Sequence, residues 1–159
     1  MSDVAKPREP RPGRARSLAR RLALQALYQW QLTGQSFAEL RNQYASDEGY
    51  PEVDPEYFAA LLQGAVDDVA ALDERIGQWI DRPVAQLDPI ERAVLLIGVL
   101  ELERHPEVPY RVVLNEGVEL AKKFGATDGH KFVNAVLDRA ARELRAAEQA
   151  AAKRVPRNG

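Results

Sequence analysis

Arginine side chains concentrate near the amino terminus of this 159-residue chain, and an aromatic ring follows them within the same helical repeat. Residues 1–21 hold seven basic and two acidic side chains, although the whole chain has a net charge of −2. Guanidinium groups neutralise phosphates, and an exposed ring can stack on an unpaired base. The pattern therefore indicates a local polyanion contact, for which single-stranded RNA is suitable. A solubilising charged tail is the alternative interpretation.

A helical-wheel projection divides residues 14–30 into two faces. Ser17, Arg20, Arg21 and Tyr28 fall together and are expected to face solvent, with Arg16 at the border of this group. The basic residues and Tyr28 are therefore candidate RNA contacts, although an ordinary amphipathic surface helix would show the same pattern. The opposite face is apolar and is predicted to pack inward: Ala19, Leu22, Ala23, Ala26 and Trp30.

The remaining sequence contains no recognisable catalytic arrangement. His105 lies in a predicted loop and His130 in the first turn of the last predicted helix, and neither has another histidine at a metal-ligand spacing. Cysteine is absent from the chain, which excludes disulfides and thiolate metal sites. We therefore predict a binding protein without enzymatic activity or cofactor. The acidic pairs are expected to lie on solvated helix faces: Asp67 with Asp68, and Glu101 with Glu103.

Helices must position the candidate contacts, because no segment alternates apolar and polar residues with the period of a strand. The sequence predicts an all-α fold of two small packed helical bundles, with about seven helices in total. The segment from Pro89 to about Arg104 is the most apolar and is predicted to be the central helix. Helix starts are expected where side chains can cap them, at Ser36, Asp54, Asp88 and Asp128. The main predicted helices are 16–32, 36–44, 54–80, 89–104, 110–124 and 128–147.

The predicted organisation has a disordered basic arm over residues 1–15 and a frayed tail over residues 150–159. Between them lies one helical domain, residues 16–149, whose bundles cover about 16–80 and about 84–147. No 18-residue apolar run occurs, and the amino terminus lacks the apolar stretch of a signal peptide. We therefore expect a cytoplasmic protein that makes no membrane contact.

Several ordered motifs resemble the NusB family. The opening helix contains Gln25-Ala-Leu-Tyr-x-Trp-Gln31, and Glu91-Arg-Ala-Val-Leu-Leu-Ile also has a counterpart in that family. The segment 108–125 resembles the penultimate helix of the family, and 126–138 resembles its last-helix motif, with His130-Lys-Phe-Val-Asn134 at its centre. The resemblance runs from about residue 16 to residue 144.

This resemblance implies a bacterial RNA-binding factor of transcription antitermination. It implies binding of the boxA element of nascent RNA, notably from ribosomal RNA operons, together with the ribosomal small-subunit protein NusE. The complex, with other Nus factors, would help RNA polymerase resist termination. Glu91 would face NusE by the same resemblance. The residues that would contact RNA, or lie beside that surface, are Arg16, Arg20, Tyr28, Asp128, Lys131 and Phe132, to which the basic face adds Arg21.

Two other functions stay open at this stage. NusB-like domains also precede the catalytic domain of some RNA cytosine methyltransferases, so the chain could be the RNA-binding module of such an enzyme. A purely structural helical dimer is the other alternative, and the sequence does not decide whether the free protein is a homodimer. The basic run also departs from the denser one of many family members, because Ser17 and Leu18 interrupt it.

Overall fold

A computed structural model describes residues 12–154 of the chain. These residues form eight α-helices and two short 3-10 turns and contain no strand, which confirms the predicted all-α class. No helix in this range is long and apolar enough to cross a membrane. The helices are α1 (Pro12–Thr33), α2 (Phe37–Tyr44), α3 (Pro55–Asp67), α4 (Val69–Trp79), α5 (Pro89–Arg104), α6 (Tyr110–Phe124), α7 (Gly129–Leu144) and α8 (Ala146–Arg154), and the turns are Tyr50–Glu52 and Val84–Gln86.

The predicted end of α1 and the predicted starts of α2 and α3 are confirmed, and a local interaction determines each of them. Gly34 ends α1 in the left-handed conformation, with φ +69°, and its N–H donates to the carbonyl of Trp30 at 2.8 Å. The Ser36 hydroxyl accepts the N–H of Glu39 at 3.2 Å and thereby caps α2. Asp54 caps α3 in the same way. These three signals acted locally, so the sequence was sufficient to find them.

Two predicted caps are wrong. Asp88 precedes Pro89 at the start of α5, but its side chain makes no capping hydrogen bond. Asp128 adopts the left-handed conformation, with φ +68°, and its carboxylate does not cap α7 either. A side-chain cap normally requires extended φ and ψ at that residue. Asp128 instead redirects the chain sharply between α6 and α7.

The segment expected to be one helix over 54–80 is divided at Asp68, whose φ of −113° and ψ of 23° interrupt the helix. Aspartate is a poor interior helix former, and the Asp68 carboxylate pairs with Arg104 of α5 at 2.5 Å. The break gives the two halves different neighbours. Helix α3 packs on α1 and α5, whereas α4 packs on α5 and α7.

Both ends of the described chain are more helical than predicted. Helix α1 begins at Pro12, so residues 12–15 of the predicted arm belong to a helix. Helix α8 continues to Arg154, although a frayed tail was expected from residue 150. The rest of the arm, residues 1–11, and the last residues, 155–159, lie outside the described range.

Helix α5 is the central element, as its apolar sequence predicts. Every residue from Ala93 to Leu102 is buried, and α5 packs against α1, α3, α4, α6 and α7. One continuous hydrophobic cluster joins both groups of helices. The predicted inward face of α1 is also buried except at Trp30, which is half-buried and packs on the edge of the cluster.

A buried arginine closes the carboxyl end of α5. Arg145, in the break between α7 and α8, points inward and pairs with Glu148 at 2.5 Å. Since the last carbonyls of a helix have no intrahelical partner, each needs another donor. The Arg145 guanidinium supplies those donors at 2.8–3.2 Å to four carbonyl groups of α5 and its following loop: Glu101, Leu102, His105 and Val108.

Leu137 of α7 packs against two glycines, one on α5 and one on α6. A Cβ atom at Gly98 would lie 2.6 Å from a Leu137 methyl carbon, and one at Gly117 would lie 2.7 Å from the other methyl carbon. We predict that Gly98→Ala lowers the free energy of unfolding by about 1–3 kcal/mol, because overpacking forces a fully buried side chain to move.

Urea unfolding with Gly77→Ala as the control provides the measurement. Gly77 lies on an exposed part of α4, where an added Cβ meets only ordinary contact at 3.7 Å. There the greater helix propensity of alanine is expected to stabilise the protein by up to about 1 kcal/mol. Equal, stabilising effects of both substitutions would contradict the proposed packing of Leu137.

Candidate nucleic-acid interface

Arg20 was predicted to face solvent, and this prediction is wrong: the side chain is 3% exposed. Its guanidinium holds the Glu101 carboxylate of α5 with two parallel hydrogen bonds of 2.8 and 2.9 Å. Burial alone would lower the pKa of Arg20, but the hydrogen bond and the charge of Glu101 outweigh it and raise that pKa. Arg20 is therefore a charged residue of the core, and RNA cannot reach it in this conformation.

Glu101 was expected on a solvated helix face, and that prediction is also wrong, because its side chain is 1% exposed. The Tyr57 hydroxyl of α3 donates to the same carboxylate at 2.5 Å. Burial and the charge of Glu101 raise the pKa of Tyr57 far above its ordinary value, so this hydroxyl stays a donor. The available signal was Glu101 itself, a single carboxylate within an otherwise apolar run, which requires a buried cation.

The two arginines before Arg20 lie close to carboxylates. The Arg16 guanidinium is 3.7 Å from Glu107 and 4.0 Å from Asp54, and it also stacks over the Tyr57 ring at 4.3 Å. Arg14 lies 3.9 Å from Glu52. Both side chains are at least one-third exposed, so RNA could still reach them, although these acids would compete with its phosphates.

Arg21 and Tyr28 lie on the outer face of α1, as predicted. Tyr28 is 38% exposed, and Leu32, one turn further along, is 62% exposed. Tyr28 and Leu32 border an apolar groove of about 420 Å³, which the end of α2, the start of α5 and the end of α6 also line. The other apolar residues that line this groove are Leu24, Tyr44, Ile90 and Phe124.

Two cations lie at one end of this groove, beside the Phe124 ring. The Arg21 guanidinium is 5.4 Å from the centre of the Phe124 ring, and the Lys123 ammonium is 5.8 Å from it. Neither cation pairs with a carboxylate among residues 12–154, in contrast to Arg14, Arg16 and Arg20. Sequence reasoning did not find Lys123, because only the fold brings the last turn of α6 beside α1.

A second hollow of about 290 Å³ continues along α1 towards its amino terminus. Arg14, Arg21 and Gln25 line its helical side, and the loop around Asp47 and Glu52 lines the other. Gln25 also lines the apolar groove, so the two hollows adjoin along one face of α1. The outer face of α1 thus changes from polar and charged to aromatic within about three turns.

The other predicted contacts form a separate cluster around the start of α7. Glu91, on the first turn of α5, is half-buried against Gly129, where an added Cβ would lie 2.8 Å from the carboxylate. Lys131 and Asp128 pair with each other at 3.2 Å on the surface. Phe132 is half-buried, and the Arg82 guanidinium stacks over its ring at 4.5 Å. The fold therefore brings Glu91 to the start of α7, and Arg82, whose charge acts on Glu91, also stacks on Phe132.

The fold and these surfaces define an all-helical binding protein. Residues 12–154 contain no cluster of acidic and histidine side chains that could hold a metal ion. A sequence model of the NusB family matches residues 17–142. The chain therefore belongs to the NusB family, which confirms the resemblance and the prediction that it is not an enzyme.

Individual relatives agree with this assignment. The chain is 49% identical over 144 residues to the transcription antitermination protein NusB of Alcanivorax borkumensis, covering 91% of this chain and 95% of that one. It is 50% identical over 138 residues to the NusB of Hahella chejuensis, covering 87% and 93%. Among solved structures, NusB of T. maritima superposes with a TM-score of 0.75 at 26% identity, covering 84% and 93%.

A solved structure of antitermination factors NusB and NusE in complex with double-stranded RNA is also similar. It matches with a TM-score of 0.73 at 31% identity and covers 82% of this chain and 98% of that one.

We predict that Glu101→Gln lowers the free energy of unfolding by about 3–5 kcal/mol, because it removes the buried charge that pairs with the Arg20 guanidinium and leaves only the more exposed Glu116, at 3.5 Å, as its counterion. Arg20→Met removes the other charge, and the double variant Arg20→Met/Glu101→Gln removes both. Urea unfolding of the parent and all three variants gives the coupling energy. The double variant is expected to lose much less than the sum of the single losses; simple additivity would show that the pair is not coupled.

Glu91 generates a prediction about pH. Burial, together with the charge of Asp88, raises the pKa of Glu91, and Arg82 opposes this only partly. Folding therefore favours the protonated form, and this stabilisation is present below the unfolded-state pKa and is lost as pH rises through the folded-state pKa. Glu91→Gln is expected to stabilise the chain, relative to the parent, more at about pH 7 than at about pH 4. An equal difference in urea midpoint at both pH values would contradict this.

Proposed function

We propose that this chain is a bacterial transcription antitermination factor that binds the boxA element of nascent RNA together with ribosomal protein NusE. The observation that supports this most directly is the likeness to the solved complex of NusB and NusE with RNA. Ribosomal RNA operons are the proposed principal targets. Other Nus factors and RNA polymerase are the proposed further partners, and the cytoplasm is the proposed location.

The proposed RNA contacts are the candidate residues whose side chains are accessible in the structure, and not every arginine of α1. Arg21 and Tyr28 are accessible on the outer face of α1, and Arg16 can exchange its weak surface pairs for phosphates. Arg20 is excluded from direct contact by its burial. Asp128, Lys131 and Phe132 are proposed to extend the RNA surface at the start of α7.

Glu91 is proposed to bind NusE. It lies on the half-buried first turn of α5, between the α1 groove, which Ile90 lines, and the start of α7. A partner on Glu91 would therefore touch both proposed RNA-binding regions. This arrangement predicts that NusE and RNA bind cooperatively. On the same face of the protein, bound NusE could contact the RNA directly, and each ligand would raise the affinity for the other.

A titration of labelled single-stranded boxA RNA, with and without NusE, tests this proposal. We expect measurable binding to the chain alone, weakening with added salt, and an affinity at least about fivefold higher when NusE is present. A scrambled RNA of equal length is the control. The function is refuted if RNA does not bind at low salt with NusE present.

A further inference from the structure

We infer that Gln31, Arg92 and Asp73 form a positioning network, which holds the first turn of α5 in place against α1 and α4. That turn carries Glu91, so the inference rests on the proposed binding of NusE at this residue. It gives a role to the end of the motif 25–31 and to the arginine that follows Glu91, which the proposed RNA contacts leave without one.

The start of α5 needs support from outside the helix. Asp88 precedes it, but the Asp88 side chain makes no capping hydrogen bond. Since the first N–H groups of a helix have no intrahelical partner, an uncapped first turn is prone to fray. Glu91 lies in this turn and is half-buried, so its position depends on the tertiary contacts made there.

The side-chain amide of Gln31 provides two of these contacts. Gln31 lies in the last turn of α1, and its Nε2 donates to the carbonyl of Pro89 at 2.8 Å. Its Oε1 accepts a hydrogen bond from the Arg92 guanidinium at 3.2 Å. One half-buried side chain of α1 therefore holds the residues that flank Ile90 and Glu91, because an amide offers a donor and an acceptor at once.

Asp73 of α4 holds the other side of Arg92. The Arg92 guanidinium donates two hydrogen bonds to the Asp73 carboxylate, at 2.6 and 3.2 Å, and both side chains are largely buried. Paired geometry and partial burial make such a contact stronger than an exposed ion pair. The guanidinium also lies 5.8 Å from the centre of the Trp30 ring of α1. Three helices therefore meet at the residue that follows Glu91.

The alternative is that this network only stabilises the fold. A second ion pair between the same two helices provides a comparison, because Arg75 of α4 pairs with Glu103 in the last turn of α5. Both pairs join α4 to α5, but only the pair of Asp73 and Arg92 lies at the end that carries Glu91. Loss of the Arg75 pair therefore measures the effect of general stabilisation.

Two matched pairs of variants test the inference with the full chain and NusE. Gln31→Met is compared with Gln29→Met, whose parent amide bonds to α2 and the loop before it, and not to α5. Asp73→Ala is compared with Arg75→Ala. We expect Gln31→Met and Asp73→Ala each to weaken NusE binding about two- to tenfold, because NusE must then restore the first turn of α5 at the expense of binding energy. Both control proteins should bind NusE as the parent does.

Two further measurements separate positioning from damage to the fold. The proposed RNA contacts on α1 take no part in the network, so Gln31→Met should bind boxA RNA without NusE about as tightly as the parent. The pKa of the Glu91 carboxyl, followed by NMR, needs no partner. Because burial is the main cause that raises this pKa, a loosened first turn should bring it closer to its ordinary value in Gln31→Met and leave it unchanged in Gln29→Met. Urea unfolding checks that each variant is folded in the assay.

The outcomes distinguish this inference from the function on which it rests. If the parent binds NusE and the Gln31→Met and Asp73→Ala proteins bind it equally well, the network does not position Glu91, although the function stands. An equal loss of NusE binding in Arg75→Ala, or an equal loss of RNA binding in Gln31→Met, would show a general effect on the fold and overturn the inference. If the parent does not bind NusE, the proposed function fails, and an unchanged pKa of Glu91 in Gln31→Met would overturn the positioning role as well.

Discussion

The carboxylate of Glu101 lies in the middle of the molecule and receives hydrogen bonds from Arg20 and Tyr57. It thereby joins α5 to α1 and α3 through one charged contact that water cannot replace. An ion pair of this kind adds little net stability over a well-packed apolar substitute, but losing one partner is costly. Its consequence here is positional: it fixes the rotation of α1 about its own axis, and therefore which side chains of α1 reach the surface.

That rotation divides the basic residues of α1 by role. Arg20 serves the core, Arg14 and Arg16 lie beside surface acids, and Arg21 faces outward near the end of α6. A helix with several arginines thus offers far fewer free cations than its sequence suggests. The accessible part of the helix combines a charged half and an aromatic half, which Gln25 joins.

Close packing around α5 makes this arrangement rigid. Gly98 and Gly117 allow α5, α6 and α7 to enclose Leu137, while Arg145 bonds the carbonyls at the end of α5. The end of α6, which carries Lys123, is therefore held beside α1 by contacts far from the groove. The groove depends on tertiary packing as much as on the residues that line it.

The sequence by itself determined most of the helices, several of their ends and the buried centre, because caps such as Ser36 and Asp54 and an apolar run such as that of α5 act through local chemistry. It also identified the family and the outward position of Tyr28. Only the tertiary structure decided which charges are buried, since a helical wheel shows directions around one helix but not which neighbours fill them. Arg20 and Glu101 are 81 residues apart, so no local pattern could show that each would satisfy the other inside the core.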